Sequence, residues 1–310
     1  MNKIKKIFNY LFSNPRAIFL ALLLRFSPIF PDRLYLKWLY RLNVGRPLNL
    51  DNPKTFSEKI QWLKLYNRRP EYTIMVDKLE VKKYIANMIG QEYVIPTLGV
   101  WEEFEDIDFN TLPNRFVLKT THGGGNSGVV ICKDKSNFDL ISARNKINNS
   151  LKSDIYTRYR EWPYKNIKKR IIAEAYIEEK GQKDLPDYKF FCFNGVPMYC
   201  QVIRDRNSSE TIDYYDMEWN HMDFVGLNPV AKNGVIPVPK PRHLNNIKSI
   251  CEKLSKDIPF LRVDLYIINE KEYFGELTFF PMSGLGEFRP KEWNAILGDL
   301  IDISKIYRRK

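Results

Sequence analysis

The sequence predicts an α+β protein built mainly on antiparallel sheets, and three hairpin signals with helices interspersed among them carry that expectation. Residues 188–193 turn at Asn194-Gly195 into 196–203, a two-residue turn of the type that tolerates positive φ. Phe116-Val117-Leu118-Lys119-Thr120 runs through a glycine-rich loop into Val129-Val130-Ile131-Cys132. Residues 260–268 and 273–280 flank a turn at Asn269-Glu270-Lys271.

The other elements follow in order. Residues 1–50 read as helices broken at Pro15, Pro28, Pro31 and Pro47. Residues 55–66 read as a helix capped by Thr55 or Ser57, with Phe56, Ile60 and Leu63 on one face. A second helix opens near Asp77-Lys78 and runs to Ile89, where Gly90 stops it. Residues 93–100 suggest a strand broken by Pro96. Residues 138–151 suggest a helix, and 170–177 an apolar strand. Residues 211–224 alternate weakly, 229–241 form a proline-rich connection, and 243–256 read as a helix.

A chain of 310 residues fits one large domain or two to three small ones. Hydrophobic content of 44% and aromatic content of 14% support a sizeable core. The net charge of +12, from 49 basic and 37 acidic residues, fits a polyanionic partner or simply a lysine-rich surface. No zinc-finger spacing, RNA-recognition signature or basic zipper is present, so nucleic acid is not the expected partner. Cys132, Cys192, Cys200 and Cys251 are far apart and read as buried thiols of a reducing cytoplasm. With only His122, His221 and His243, a histidine-based metal site is not expected.

The apolar core of the N-terminal stretch, residues 17–24, falls short of the roughly 20 residues that span a bilayer. It lacks a small-residue cleavage site. Lys3, Lys5, Lys6, Arg16, Arg25, Arg33 and Lys37 flank it. Two readings stand: peripheral contact with the inner face of the cytoplasmic membrane, or packing on the domain that follows.

The stretch Lys119-Thr120-Thr121-His122-Gly123-Gly124-Gly125-Asn126-Ser127-Gly128 is suited to phosphates. A strand delivers a lysine as a point charge, and glycines then let backbone N–H groups approach an anion. It is neither a Walker A loop, because the lysine precedes the glycines, nor the dinucleotide pattern Gly-x-Gly-x-x-Gly. A plain glycine-rich hairpin is the alternative.

In the C-terminal hairpin, positions whose numbers sum to about 540 are cross-strand neighbours, so Asp264 faces Glu276 and shares a sheet face with Arg262 and Thr278. Two carboxylates opposed in an apolar hairpin call for positive charge between them. Mg²⁺ supplies it in one reading, and an Arg262 ion network in the other.

The order of these parts resembles the ATP-grasp fold, most closely its TupA-like branch, associated with bacterial surface polysaccharides. The resemblance rests on Phe56-Ser57-Glu58-Lys59-Ile60-Gln61-Trp62-Leu63-Lys64, the Lys119 glycine loop, Asp187-Tyr188-Lys189-Phe190 and Gly275-Glu276-Leu277-Thr278-Phe279-Phe280-Pro281. It covers roughly residues 50–295. It implies antiparallel sheets with helices clamping a nucleotide after a helical N-terminal segment (1–50). The parts would be an N-terminal core (51–112), a glycine-loop lid (113–175) and a C-terminal subdomain with the metal site (176–310). Lys78 and Lys119 would contact the α- and β-phosphates of ATP, and residues 123–128 would fold over the β- and γ-phosphates. Glu174, Ala175, Tyr176 and Ile177 would bind adenine, and Asp187 or Lys189 the ribose or phosphates. Asp264 and Glu276 would hold Mg²⁺, and Arg262 would stabilise transition-state charge. Where many relatives carry asparagine as a further ligand, this chain has Thr278.

The implied chemistry is ATP-dependent ligation through an acyl phosphate, joining a carboxylate (a uronic acid or amino acid) to an amine. The partner would be an acidic glycan or its nucleotide- or lipid-linked precursor, in capsule or surface polysaccharide assembly. Two enzymatic alternatives are a polysaccharide glycosyltransferase, for which Asp106-Ile107-Asp108 is the nearest metal motif, and a glycan kinase using the same ATP site. Arg158, Arg160, Arg204 and Arg206 are candidate contacts for acidic substrate or a solvated basic face. Trp162-Pro163-Tyr164, which could stack on a sugar ring, and Ser283-Gly284-x-Gly286, which could line the acceptor pocket, are candidate substrate-side residues or plain loops.

Overall fold

The computed structural model describes residues 15–179, 181, 185–206 and 208–307. Lys3, Lys5, Lys6 and the start of the N-terminal apolar stretch lie outside them.

Strands β1 (Thr97–Trp101), β2 (Phe116–Thr120), β3 (Val129–Cys132) and β4 (Ile171–Ala175) form an antiparallel sheet in the order β1-β4-β2-β3. Along β2, Phe116, Leu118 and Thr120 point into the core while Val117 and Lys119 point to the other face. Helix Leu140–Leu151, whose N-terminus Asp139 caps through the Ser142 amide, buries Ala143 and Ile147 against Phe116, Leu118 and Ile171.

The larger sheet contains β5 (Asp187–Phe193), β6 (Val196–Arg204), β7 (Thr211–Asp216), β8 (His221–Met222), β10 (Phe260–Ile268) and β11 (Lys271–Thr278), in the order β11-β10-β5-β6-β7-β8. The short strands β9 (Val225–Gly226) and β12 (Phe288–Arg289) pair beside it. Asn194 and Gly195 adopt φ of 50° and 88°, as their turn requires. Helix Leu244–Ser255 buries Leu244, Ile247, Ile250, Cys251 and Leu254, joining the core of β5 and β10. Phe56, Phe191, Phe193 and Phe260 meet edge to face in that core. Each such buried ring contributes about 2–3 kcal/mol of apolar burial.

Helix Phe56–Tyr66 starts with a full capping box: Thr55 accepts from the Glu58 amide, and the Glu58 carboxylate accepts from the Thr55 amide. Thr55, not Ser57, is thus the cap. The helix expected from Asp77 begins at Glu80, preceded by a separate short helix, Glu71–Val76. Asp77 instead accepts from the Leu79 and Glu80 amides, which ties the turn between the two.

The C-terminal hairpin differs in an informative way. Its turn has two residues, Asn269 and Glu270, with φ of 49° and 63°. That turn alone would set Leu265 opposite Phe274, one position off the expected sum. A bulge at Gly275 restores the register, so Asp264 does face Glu276 and Arg262 faces Thr278. Gly275 suits the bulge because a Cβ there would lie 3.0 Å from the Asp264 carbonyl oxygen.

Candidate functional site

A cavity of about 760 Å³ opens between the two sheets, lined by Lys119, Asn126, Glu174, Ala175, Tyr176 and Ile177, with Asp187, Arg206 and Tyr266 across from them. Its floor is set by the antiparallel pairing of β2 and β4, where the outward alternation of β2 turns Lys119 toward Glu174.

Glu174 is buried between two lysines. Its Oε2 lies 2.5 Å from Lys119 Nζ and its Oε1 2.5 Å from Lys82 Nζ. Burial pushes the Glu174 carboxyl up, but Lys119 and Lys82 override it and hold the group below the usual carboxylate range. Burial likewise works to lower Lys119, and Glu174 reverses it, so Lys119 stays charged. For Lys82 burial wins and its pKa falls. Lys82 also donates to the Ile95 carbonyl.

A small pocket of about 20 Å³ bordered by Lys78, Lys82, Lys119, Glu174 and Gly275 adjoins this triad. On its far side Lys78 Nζ donates to Glu276 Oε1 at 3.0 Å and to the Gly123 carbonyl at 2.5 Å. Lys78 therefore ties the glycine loop to β11. Next to it, Arg262 grips Asp264 with two parallel bonds of 2.7 Å and donates to Thr278 Oγ1 at 3.1 Å. Lys189, one strand over on β5, reaches Asp264 Oδ2 at 2.5 Å. Burial would raise the Asp264 pKa, yet Arg262 and Lys189 hold it below the ordinary range.

The positive charge that the opposed carboxylates require is therefore provided by protein side chains: Arg262 and Lys189 at Asp264, Lys78 at Glu276. Lys78, Lys82, Lys119, Lys189 and Arg262 share the three carboxylates of Glu174, Asp264 and Glu276. This corner of the fold has cations to spare for an anion.

The glycine loop is anchored at both ends. His122 is buried, with Nε2 3.0 Å from the Ser150 carbonyl oxygen, and burial lowers its pKa, which keeps the ring neutral. A Cβ on Gly128 would lie 2.1 Å from Thr120 Oγ1 and 2.4 Å from Ser150 Oγ. One on Gly123 would lie 2.4 Å from Thr120 Oγ1. Gly125 adopts φ +57° with open space around it. Ser127 donates to the Gly124 carbonyl.

Most of the sequence-predicted residues thus gather in one region. Lys119, Asn126, Glu174–Ile177 and Asp187 line the cavity. Lys78, Lys189, Arg262, Asp264, Glu276 and Thr278 form the adjoining ion network. Asp187 is paired with Arg206. The other arginines have structural partners. Arg160 is buried against Ser27, Asp32 and the Tyr35 ring, and Arg204 pairs with buried Asp213. Arg160 and Arg204 are therefore not a solvated basic face. Asp106 and Asp108 are exposed, and neither lines the cavity.

The sequence reading gave no site role to Lys82, Tyr266, Lys64 or Gln61. Lys82 lies four positions after Lys78, a helical spacing that would have flagged it. Tyr266 continues the Arg262, Asp264 alternation along β10, and burial pushes its hydroxyl up to about 12, so it stays protonated in the cavity wall. Lys64 is buried behind β11, where it donates to the Tyr159 carbonyl and to both oxygens of Ser283. Gln61 donates to the carbonyls of Ser283 and Gly284. Together they hold Met282, Ser283 and Gly284 in consecutive left-handed conformations, φ 46°, 55° and 62°.

A family model described as TupA-like ATP-grasp matches residues 58–302. The chain belongs to the TupA-like ATP-grasp family. Its α+β architecture with antiparallel sheets is an ATP-grasp fold. Among solved structures, D-alanine–D-alanine ligase from Bacillus anthracis complexed with ATP is similar at 19% identity and TM-score 0.43, over 76% of this chain and 66% of that one. A second structure of D-alanine–D-alanine ligase from Bacillus anthracis matches at 20% identity and TM-score 0.41, over 76% of this chain and 66% of that one. The biotin carboxylase domain of Hydrogenobacter thermophilus 2-oxoglutarate carboxylase, in complex with MgADP and bicarbonate, matches at 15% and 0.40, over 66% and 40%. The TupA-like chain spans just under two thirds of the length of the two Bacillus anthracis chains. No curated protein matches it.

Proposed function

We propose that this TupA-like ATP-grasp protein is an ATP-dependent carboxylate–amine ligase acting on an acidic bacterial surface glycan or its precursor. The supporting observation is the convergence of Lys78, Lys82 and Lys119 on the small pocket adjoining the cavity, beside the directly opposed Asp264 and Glu276. Adenine would lie along residues 174–177, with Asp187 or Lys189 near the ribose or phosphates. The glycine loop from Gly123 to Gly128 would cover the phosphates.

The donor set fits Mg²⁺. Asp264 is held ionised, and two hard carboxylates plus phosphate oxygens are its usual environment. Among the described residues no group of three or more His, Cys, Asp or Glu could hold a metal alone, so substrate oxygens would complete the shell. Asp264 and Glu276 would hold Mg²⁺ in place of their contacts with Lys189 and Lys78, and the ion would supply neutralisation of phosphate charge; Thr278, already accepting from Arg262, would contribute through water.

The chain's own residues do the rest by positioning and electrostatics. Lys78 and Lys119 exchange carboxylate partners for phosphate oxygens. Glu174 keeps Lys82 and Lys119 aligned. Arg262, locked by its two bonds to Asp264, presents a fixed positive charge to an acyl phosphate. The net charge of +12 suits an acidic glycan.

The test is turnover with Mg²⁺ against a panel of uronic acids and amino acids, following ADP and free phosphate separately. ADP and phosphate that require both acid and amine support the ligase. ADP without free phosphate indicates a glycan kinase on the same site. Turnover of a sugar nucleotide without ATP overturns the reading in favour of a glycosyltransferase, for which exposed Asp106 and Asp108 offer no enclosed metal site.

A further inference from the structure

Helix Pro15–Arg25 is apolar on every side between its terminal arginines, yet among its side chains only Leu23 is fully buried. A surface helix of a water-soluble fold normally carries a polar stripe. Here Phe19, Leu22 and Phe26 repeat along one exposed face. Helix Asp32–Val44 is different: Tyr35, Leu36, Leu39 and Tyr40 bury one face, and Leu34 and Trp38 stay exposed on the other. The Phe19 and Trp38 rings meet edge to face at 5.2 Å, so the two exposed faces form one surface. The connecting turn adds Ile29, 75% exposed.

The charge carried by these two helices is almost all basic, with Arg33 paired to exposed Asp51 of the following segment. Residues 15–44 contain Arg16, Arg25, Arg33, Lys37 and Arg41 against a single acid, Asp32. Asp32 faces inward, bonded to Arg68 and Arg160. No helix among the described residues is long and apolar enough to cross a membrane. We propose that helices Pro15–Arg25 and Asp32–Val44 dock on an anionic lipid surface, with Phe19, Leu22, Phe26, Ile29, Leu34 and Trp38 entering the headgroup layer.

Charge selects this occupant. A second copy of the chain would bring two such basic rims together. Residues 1–14, with Lys3, Lys5 and Lys6 and no acid, would add like charge if folded over the patch. An anionic bilayer complements both, and each basic side chain at its surface strengthens binding by about fivefold. The docked segment is fastened to the rest of the fold. Arg160 joins Ser27 and Asp32 to the loop that carries Glu161 and Tyr164, and Tyr35 donates to the Arg158 carbonyl. The inference does not depend on the nucleotide chemistry.

The experiment is flotation of the full chain with phosphatidylcholine vesicles and with phosphatidylcholine–phosphatidylglycerol vesicles, at low and high salt, beside a Phe26→Ser/Ile29→Ser variant. The wild type binds only the anionic vesicles, releases them at high salt, and loses at least about tenfold in affinity in the variant with no change in melting temperature. Three outcomes overturn the proposal. The intact chain ignores both vesicles; or the variant binds as well as the wild type; or the same substitutions abolish a self-association seen by sedimentation velocity while vesicle binding is absent.

Discussion

Lys119 on β2 and Glu174 on β4 stand 2.5 Å apart in the wall of the central cavity, and Lys82 closes on the same carboxylate from the neighbouring helix. Glu174 offsets the burial of Lys119 but not that of Lys82, and a phosphate arriving beside them adds negative charge. Replacing Lys119 with Met should lower ATP affinity by at least about tenfold, as expected for one charge-assisted contact of 1.5–3 kcal/mol. Glu174→Gln should weaken binding less: it misaligns the lysines and lets burial lower them, but an arriving phosphate supplies negative charge that favours their protonated forms. Calorimetric titration of both variants checks the order.

Asp264 is the most interlocked acid in the site, with Arg262 and Lys189 both bonded to it. Asp264→Ala leaves two buried cations without their partner and should cost about 3–5 kcal/mol in urea unfolding. The depressed Asp264 pKa gives this contribution a pH sign. It is present above the ordinary carboxylate range and disappears as pH falls through the lowered value. The wild type should lose stability on acidification more steeply than the Asp264→Ala variant.

Lys64 predicts the opposite limb. Burial lowers its pKa from 10.5 to about 8, so between those values the unfolded chain binds more protons than the folded one. That term stabilises the fold as pH rises from about 8 toward 10.5. Lys64→Met should flatten this rise relative to wild type. Denaturant melts across that window measure it.

The glycine loop should tolerate a methyl group at some positions and not at others. Gly128→Ala drives a Cβ into the Thr120–Ser150 hydroxyl pair and should cost about 1–3 kcal/mol. Gly124→Ala, whose nearest neighbour would be Ile155 Cδ1 at 3.3 Å, should change stability by under about 1 kcal/mol. Thermal unfolding of the pair separates a packing requirement from general loop flexibility.

The sequence made the hairpins legible because their signals are local. Asn194-Gly195 is a turn by its own backbone preferences, and alternation placed Asp264 opposite Glu276. The bulge at Gly275 was not legible, since a bulge compensating a shorter turn leaves the distant register unchanged. Lys119 stood out by its glycines. Lys82 and Tyr266 did not, because they reach the site from a helix and a strand that look ordinary by themselves. Arg160 could not be told from a surface arginine; its partners Ser27 and Asp32 lie more than a hundred positions away, and only tertiary packing brings them to it.

The most direct test is equilibrium binding of ATP with Mg²⁺ to the wild type, Lys119→Met and Glu276→Gln proteins, with a sugar nucleotide titrated in parallel. The account predicts saturable ATP binding that both substitutions weaken and no binding of the sugar nucleotide. A wild-type protein that binds the sugar nucleotide and not ATP, or binds ATP equally well in all three forms, would contradict it.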